Sequence, residues 1–147
     1  MASHKSQNFS NHARFVPAYH FVLAGLIAVS LIGSLVNLYE SLGDEQRIYS
    51  ASLIVVLELI VALLFWYCRV FPLKAQDRAI RAEENLRHFV LAGRLLDPRL
   101  GVKQIVALRF APDDEFVALA ARAAGQNLAP VDIKKAIVNW RADEYRV

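Results

Sequence analysis

The sequence is poor in the residues that build disulfides, metal sites and catalytic motifs. Cys68 is the only cysteine, which excludes an intramolecular disulfide and a zinc site made of several cysteines. A Walker loop, an HExxH pair, a GxSxG elbow and a His/Cys cluster at metal-ligating spacing are all absent. We therefore predict that the chain is not an enzyme and uses no cofactor. Cys68 is interpreted as a packing residue, with S-acylation as the alternative.

Two long apolar runs contain almost no charged residues. Residues 18–39 contain no Asp, Glu, Lys or Arg, and residues 49–68 contain only Glu58. A helix needs roughly 20 apolar residues to cross the hydrocarbon core of a bilayer. The two runs predict a transmembrane hairpin (18–71) with spans at about 18–39 and 49–70, joined by the polar loop ESLGDEQRI. The first run is too long for the apolar part of a signal peptide, so we interpret it as an uncleaved anchor.

Lys and Arg are unevenly distributed around the predicted spans. The loop contains only Arg47, the N-terminal tail has Lys5 and Arg14, and several basic residues follow the second span: Arg69, Lys74, Arg78, Arg81 and Arg87. Because positive residues mark the cytoplasmic side, we predict a multi-pass protein of the bacterial inner membrane with both termini in the cytoplasm. The net charge of +3 and the pI of about 9.2 then reflect this asymmetry rather than nucleic-acid binding.

Glu58 is the acidic residue inside the predicted spans. An acid in a membrane faces protein or water and has a partner. Antiparallel pairing of the two spans places Glu58 at the depth of Ser30 to Ser34, on a polar side of span one that also carries Asn37. We expect a protonated Glu58 that is hydrogen-bonded to these hydroxyls. The alternatives are a salt bridge to another subunit and a proton or ion path.

The N-terminal segment (1–17) mixes aromatic and polar residues just before the first span. His12, Arg14, Tyr19 and His20 are candidates for docking to lipid headgroups or to a partner, and the alternative is an ordinary interfacial anchor. Haem ligation through His20 would need a second histidine at the same depth, and the other histidines lie outside the spans. We therefore interpret His20 as an interfacial residue.

After Pro72 the pattern predicts a charged helical stalk. Its apolar residues recur at three- and four-residue spacing: Ala75, Ala79, Ala82, Leu86, Phe89 and Val90. Opposite charges lie one turn apart: Asp77 with Arg81, Glu83 with Arg87, and Glu84 with His88. The mixture of signs argues against a basic lipid-binding helix and indicates a solvated stalk.

The remaining residues predict a small helical domain, so that 72–147 forms a cytoplasmic stalk with this domain. Pro112 and Pro130 open two helices, and Gly125 ends the first of them. At about 50 residues such a domain is marginally stable alone, so docking on the stalk or on a partner is expected. Nucleic-acid binding is disfavoured because acidic residues offset the basic ones: Lys134, Lys135 and Arg141 against Asp132, Asp143 and Glu144.

Three stretches together resemble a known but uncharacterised family: QNFSNHARFVPAYHF, LKAQDRAIRAEENLRHFVLAGRLL and NWRADEYRV. The family is a domain of unknown function found in small two-span bacterial membrane proteins, some of which are labelled ABC transporter permeases. The resemblance covers nearly the whole chain. It implies an inner-membrane protein of this architecture and carries no catalytic residues to transfer.

The sequence thus predicts an all-α membrane protein made of a two-helix transmembrane hairpin, a charged stalk and a small C-terminal helical domain. We expect a noncatalytic accessory or assembly subunit of a bacterial inner-membrane complex. Its partners would be membrane lipids and either other membrane-protein subunits or further copies of itself. The alternatives are a homo-oligomeric small transporter or channel that uses Glu58, and a membrane-tethered regulator that binds nucleic acid.

Overall fold

The computed structural model describes residues 7–11 and 15–143. These residues form helices and no strand: α1 (Ala18–Glu40, of which Ala18–Leu23 is π-helical), α2 (Glu45–Ala92), α3 (Val102–Leu108), α4 (Asp113–Gln126) and α5 (Pro130–Lys135). The all-α prediction is confirmed. The chain divides into two compact units, and the division falls inside α2. We call Phe15–Phe71 the helical pair, and Pro72–Val147 with Met1–Arg14 the core unit.

A tight turn joins α1 to α2 in the helical pair. Gly43 adopts a positive φ of 94°, which glycine tolerates because it has no Cβ. The Asp44 carboxylate then accepts hydrogen bonds from the backbone amides of Gln46 (3.0 Å) and Arg47 (3.2 Å). A side chain that accepts from these first amides caps a helix. α2 therefore begins at Glu45, and the connection is shorter than the loop expected from the sequence.

α1 and α2 pack along one side of each helix, where small and polar residues lie among larger apolar ones. Contacts between Tyr19 and Phe65 and between Ser30 and Glu58 show that the helices are antiparallel. The less exposed positions recur at helical spacing along both helices: Ile27, Leu31, Ser34 and Leu38 in α1, and Ala51, Val55, Glu58, Ala62 and Phe65 in α2. Both helices are long and apolar enough to cross a membrane, and only 6% of each apolar window is buried.

The core unit buries apolar side chains from α3, α4 and α5. Leu108, Phe110, Phe116 and Ile133 are each less than 2% exposed. Phe110 also packs against Trp140, with ring centroids 4.8 Å apart. The two helices that the sequence predicts after Pro112 and Pro130 both contribute to this core.

The first of the two helices that the sequence predicts in the core unit ends beyond the expected residue, and the second is short. α4 continues through Gly125 to Gln126, and Asn127 takes the left-handed conformation with φ of 46°. Asn is the residue after Gly that best tolerates this conformation. α5 stops at Lys135, and the Ala136 amide still donates to the carbonyls of Asp132 and Ile133. Beyond Ala136 the chain leaves the helix. The Glu115 carboxylate accepts hydrogen bonds from the amides of Val138 (3.0 Å) and Asn139 (2.9 Å).

Polar side chains connect distant segments of the core unit. The Gln104 side chain accepts from the Gly101 amide (2.7 Å) and donates to the Leu128 carbonyl (2.8 Å). It thereby ties the start of α3 to the end of α4. The Gln7 side chain accepts from the Asp143 amide at 2.8 Å, so the described N-terminal residues contact the core unit as well.

Candidate functional site

Glu58 and Ser30 meet in the helical pair. The Ser30 hydroxyl oxygen lies 3.0 Å from Glu58 Oε2 and 3.2 Å from the carbonyl oxygen of Ile27. Ser34 is buried and donates instead to the Leu31 carbonyl at 2.8 Å. The Asn37 carbonyl accepts from the Ser41 hydroxyl at 2.7 Å. Of the four predicted intramembrane residues, the structure thus brings two together, and their role stays a prediction.

The aromatic residues at the start of α1 contact their own helical pair. The Tyr19 ring stacks on Phe65 with centroids 4.5 Å apart, and its hydroxyl donates to the Phe65 carbonyl. His20 Nδ1 lies 3.0 Å from both the amide nitrogen and the carbonyl oxygen of Val16. Tyr19 therefore links the two helices and His20 binds its own first turn. The other two predicted docking residues, His12 and Arg14, lie outside the described residues.

The structure contains a buried ionic cluster where the sequence predicted a solvated face. Arg87 donates through Nη1 to Glu84 (3.0 Å), through Nε to Asp113 (2.7 Å) and through Nη2 to the carbonyl of Ala111 (2.8 Å). The side chains of Arg87 and Glu84 are only 12% and 7% exposed. The Arg87 guanidinium also lies 4.3 Å above the centre of the Phe116 ring, a favourable cation–π geometry.

His88 extends this cluster along α2. It is 5% exposed, its Nδ1 lies 2.7 Å from the Arg94 carbonyl oxygen, and its ring meets the edge of Phe116. The expected pairing of Glu84 with His88 is therefore wrong, and Glu84, not Glu83, is the partner of Arg87. The prediction of a wholly solvated stalk is wrong for the same reason. Because Glu84 is neutralised by Arg87, we interpret the cluster as a structural link between α2 and the loop before α4.

Two cavities open beside the ionic cluster, within the core unit. One has a volume of about 380 Å³ and is lined by Ile80 and several charged side chains, among them Glu83, Glu84, Arg109 and Arg141. The other has about 560 Å³ and shares both glutamates and Arg141. Arg109 is held at the first cavity by an ion pair with Asp143 of 3.0 Å. Their linings mix both signs of charge, so they select neither anions nor cations by net charge.

The apolar stripe that the sequence reveals on α2 is exposed. We call Ala75, Ala79, Ala82, Leu86, Phe89 and Val90 the outer stripe, and all six are classed as exposed. Its three largest side chains, Leu86, Phe89 and Val90, are 64%, 51% and 75% exposed. The face of α2 that meets the rest of the core unit is instead the one with Ile80 and Glu84. Sequence reasoning found the stripe but could not assign the side on which the domain packs.

A surface ion pair precedes α3. Asp97 accepts hydrogen bonds from the Arg99 side chain (3.0 and 2.7 Å) and from the Arg99 amide (2.9 Å). These bonds stabilise the carboxylate and lower the pKa of Asp97 to about 2. The same contact raises the pKa of Arg99. The pair orders the turn between α2 and α3.

The fold defines an all-helical protein with two long apolar helices and an ion-paired helical core. Among residues 7–11 and 15–143, no group of three His, Cys, Asp or Glu side chains is placed to hold a metal ion. The chain belongs to the family described as "Family of unknown function (DUF6526)", which matches residues 1–147. The resemblance to an uncharacterised family is thereby confirmed. No curated protein and no solved structure gives a significant match.

Proposed function

We propose that this chain is a noncatalytic accessory or assembly subunit of a bacterial inner-membrane complex. The helical pair would cross the membrane as a hairpin with both termini in the cytoplasm, and the core unit would lie at the cytoplasmic surface. The hairpin and the cytoplasmic helices would each offer a surface to neighbouring subunits.

The observation that carries the proposal is the outward direction of the apolar side chains in the helical pair. Val29, Ile32 and Leu63 are 70%, 63% and 59% exposed. A long apolar helix in the core of a water-soluble protein would be mostly buried, whereas here 6% of each apolar window is. Exposed apolar surface of this extent marks contact with lipid or with other proteins.

The predicted orientation rests on the arrangement of basic residues. The turn between α1 and α2 is followed by Arg47, whereas Arg69 and four further basic residues follow the apolar part of α2: Lys74, Arg78, Arg81 and Arg87. Basic residues near span ends are retained on the cytoplasmic side. This asymmetry supports a cytoplasmic core unit.

The accessory role is favoured over an ion path by the surroundings of Glu58. Glu58 lies 3.0 Å from a serine hydroxyl of the neighbouring helix, which is the contact expected of a group that joins two helices. A proton relay needs a chain of ionisable groups, and the apolar segment 49–68 contains Glu58 as its only Asp, Glu, His, Lys or Arg. Glu58→Gln separates the two functions. The neutral amide can still accept from Ser30, so hairpin assembly should be unchanged, whereas pH-dependent flux through Glu58 would be lost.

The direct test is purification of the tagged full chain from native membranes in mild detergent, followed by sizing and mass spectrometry. The expected result is a larger membrane complex in fixed stoichiometry with this chain. Membranes from cells without the tag, treated identically, give the background. Recovery of this chain with copies of itself and no other subunit would overturn the accessory role.

A further inference from the structure

Within the core unit, α2 has two opposite faces, and the fold uses one of them. Ile80, Glu84 and His88 are 7%, 5% and 5% exposed and recur every four residues. The outer stripe lies on the other side of the helix, because successive residues are rotated by about 100°. Ala79, at the edge of the outer stripe, also lines the first cavity of the core unit, whereas the large side chains of Leu86, Phe89 and Val90 remain exposed.

The spacing of the outer stripe is that of a coiled-coil seam. Its members at 75, 79, 82, 86 and 89 are separated by four, three, four and three residues, the alternation of the core positions of a heptad. Ala79 and Leu86 then occupy a positions, and Ala75, Ala82 and Phe89 occupy d positions. The alanines permit close approach of a second helix, and Leu86 and Phe89 supply larger apolar surface.

The charges that flank the outer stripe are complementary. In the same heptad frame Arg78 is a g residue and Glu83 is an e residue. In a parallel two-stranded coil, a g side chain meets the e side chain five residues later on the other helix. Arg78 of one copy would therefore face Glu83 of a second copy, and the twofold symmetry repeats the contact. Within the described part of the chain, neither side chain forms an ion pair.

The same charges disfavour the other occupants of the face. An antiparallel pair brings the two g flanks together, so the Arg78 flank of one helix would no longer meet the Glu83 flank of the other. An anionic lipid surface attracts Arg78 and repels Glu83, whereas amphipathic membrane helices carry basic residues on their polar face. A second copy in parallel orientation places Glu83 opposite Arg78 on both sides of the seam, so each charge meets one of opposite sign.

We propose that the outer stripe is a self-association surface, on which a second copy of this chain docks as a parallel two-helix seam with an Arg78–Glu83 pair on each side. All residues of this contact belong to the core unit. It does not depend on the accessory role, and it adds a defined partner and register to the protein.

Cysteine cross-linking in cells that express the full chain tests the orientation. In a Cys68→Ser background, Ala75→Cys and Phe89→Cys place thiols at d positions 14 residues apart, and d residues of parallel helices face their own counterparts. Each single variant should form a disulfide-linked dimer when oxidised. Arg81→Cys, on an exposed position outside the outer stripe, is the matched control and should stay monomeric.

Three cross-linking outcomes would overturn the proposal. A dimer that forms when the Ala75→Cys and Phe89→Cys chains are mixed, and not with either alone, indicates antiparallel packing. Thiols that fail to cross-link but become protected from a water-soluble reagent when bilayers are present indicate a lipid-facing stripe. Equal cross-linking of Arg81→Cys indicates random collision.

Charge reversal tests the register in the full chain. Arg78→Glu places like charges opposite each other at two symmetric sites, and we expect roughly tenfold weaker dimerisation by sizing in detergent. Glu83→Arg should weaken the dimer similarly, and the double variant should restore it. A double variant as weak as either single variant would overturn the register. Cross-linked dimers without any copurified subunit would leave this proposal standing while overturning the accessory role.

Discussion

The helical pair and the core unit differ in the size of the side chains that they bury. In the helical pair, Ser34 and Ser41 are 6% and 0% exposed while Val29 is 70% exposed. In the core unit, Phe110 and Phe116 are 1% and 0% exposed. The helical pair thus buries small polar side chains and exposes large apolar ones, whereas the core unit buries large apolar side chains together with the Glu84–Arg87 pair.

The difference is the one expected when two parts of a chain fold against different solvents. In water, the hydrophobic effect drives large apolar side chains inward, which accounts for the core unit. Lipid supplies no such force between helices, and small or polar residues then line the helix contact. The seam of the helical pair includes residues of this kind, Ser34, Ala51 and Ala62, beside larger apolar ones. Their presence supports our proposal that the helical pair is the membrane anchor. A charged residue should therefore have a different effect on the exposed surface of the helical pair than on the exposed surface of the core unit.

Phe116→Ala should produce the largest loss of stability. Phe116 is fully buried and packs under both Arg87 and His88, and truncation of a buried Phe costs about 3–5 kcal/mol. In a Trp66→Phe background, Trp140 fluorescence follows unfolding of the core unit in detergent-solubilised full chain. Val138→Ala, at an 81% exposed position, is the control and should change stability by less than about 0.5 kcal/mol. Equal effects of the two substitutions would mean that Phe116 is not a core residue.

Leu57→Asp should prevent stable membrane integration. Leu57 is 59% exposed on α2 near the middle of the predicted second span, where an aspartate costs about 2.5–3.5 kcal/mol in insertion experiments. The readout is the fraction of chain retained in membranes after alkaline carbonate extraction. Val131→Asp is a matched control, because Val131 is 51% exposed but lies in the core unit and outside the outer stripe. If both variants were retained equally well, the outward face of the helical pair would not contact lipid.

Arg87→Leu should destabilise the core unit by about 3 kcal/mol, because it leaves the carboxylate of Glu84 buried without its cation. Adding Glu84→Gln should recover part of the loss, since the amide carries no charge. The same Trp140 fluorescence measurement distinguishes the variants. Losses that simply add in the double variant would show that the two side chains are not coupled.

The sequence permits the helices and most core positions to be predicted because they depend on local periodicity. Phe116 and Ile133 stand out as members of apolar faces in short segments bounded by proline. The contacts of Arg87 with Asp113 and Ala111 could not be predicted from the sequence, because these partners lie 26 and 24 residues away. A helix with an apolar stripe is expected to bury that stripe, and only the tertiary structure shows that α2 packs through its charged side.

The candidate site, like the fold, could be predicted only in part. Counting residues in two antiparallel helices is enough to bring Glu58 to Ser30. It is not enough to show that Ser34 turns to its own helix, since a serine in a helix can bond to a preceding carbonyl as readily as to a neighbour. Tyr19 was recognised as an interfacial aromatic, but its stacking on Phe65 depends on the crossing of the helices.

Asp97→Asn should have the smallest effect, because the pair with Arg99 is on the surface and exposed ion pairs contribute little. The pKa of Asp97 is about 2 in the folded protein and about 3.9 in an unfolded chain. A lowered pKa means that the folded state holds the carboxylate ionised, so the stabilisation is complete above about pH 4 and disappears as the pH falls through 2. At pH 7 the variant should unfold about 2 °C below the wild type or less, and the gap should close near pH 2. Arg99→Ala should give the same profile and add nothing to Asp97→Asn, whereas a gap that widens toward low pH would contradict the assignment.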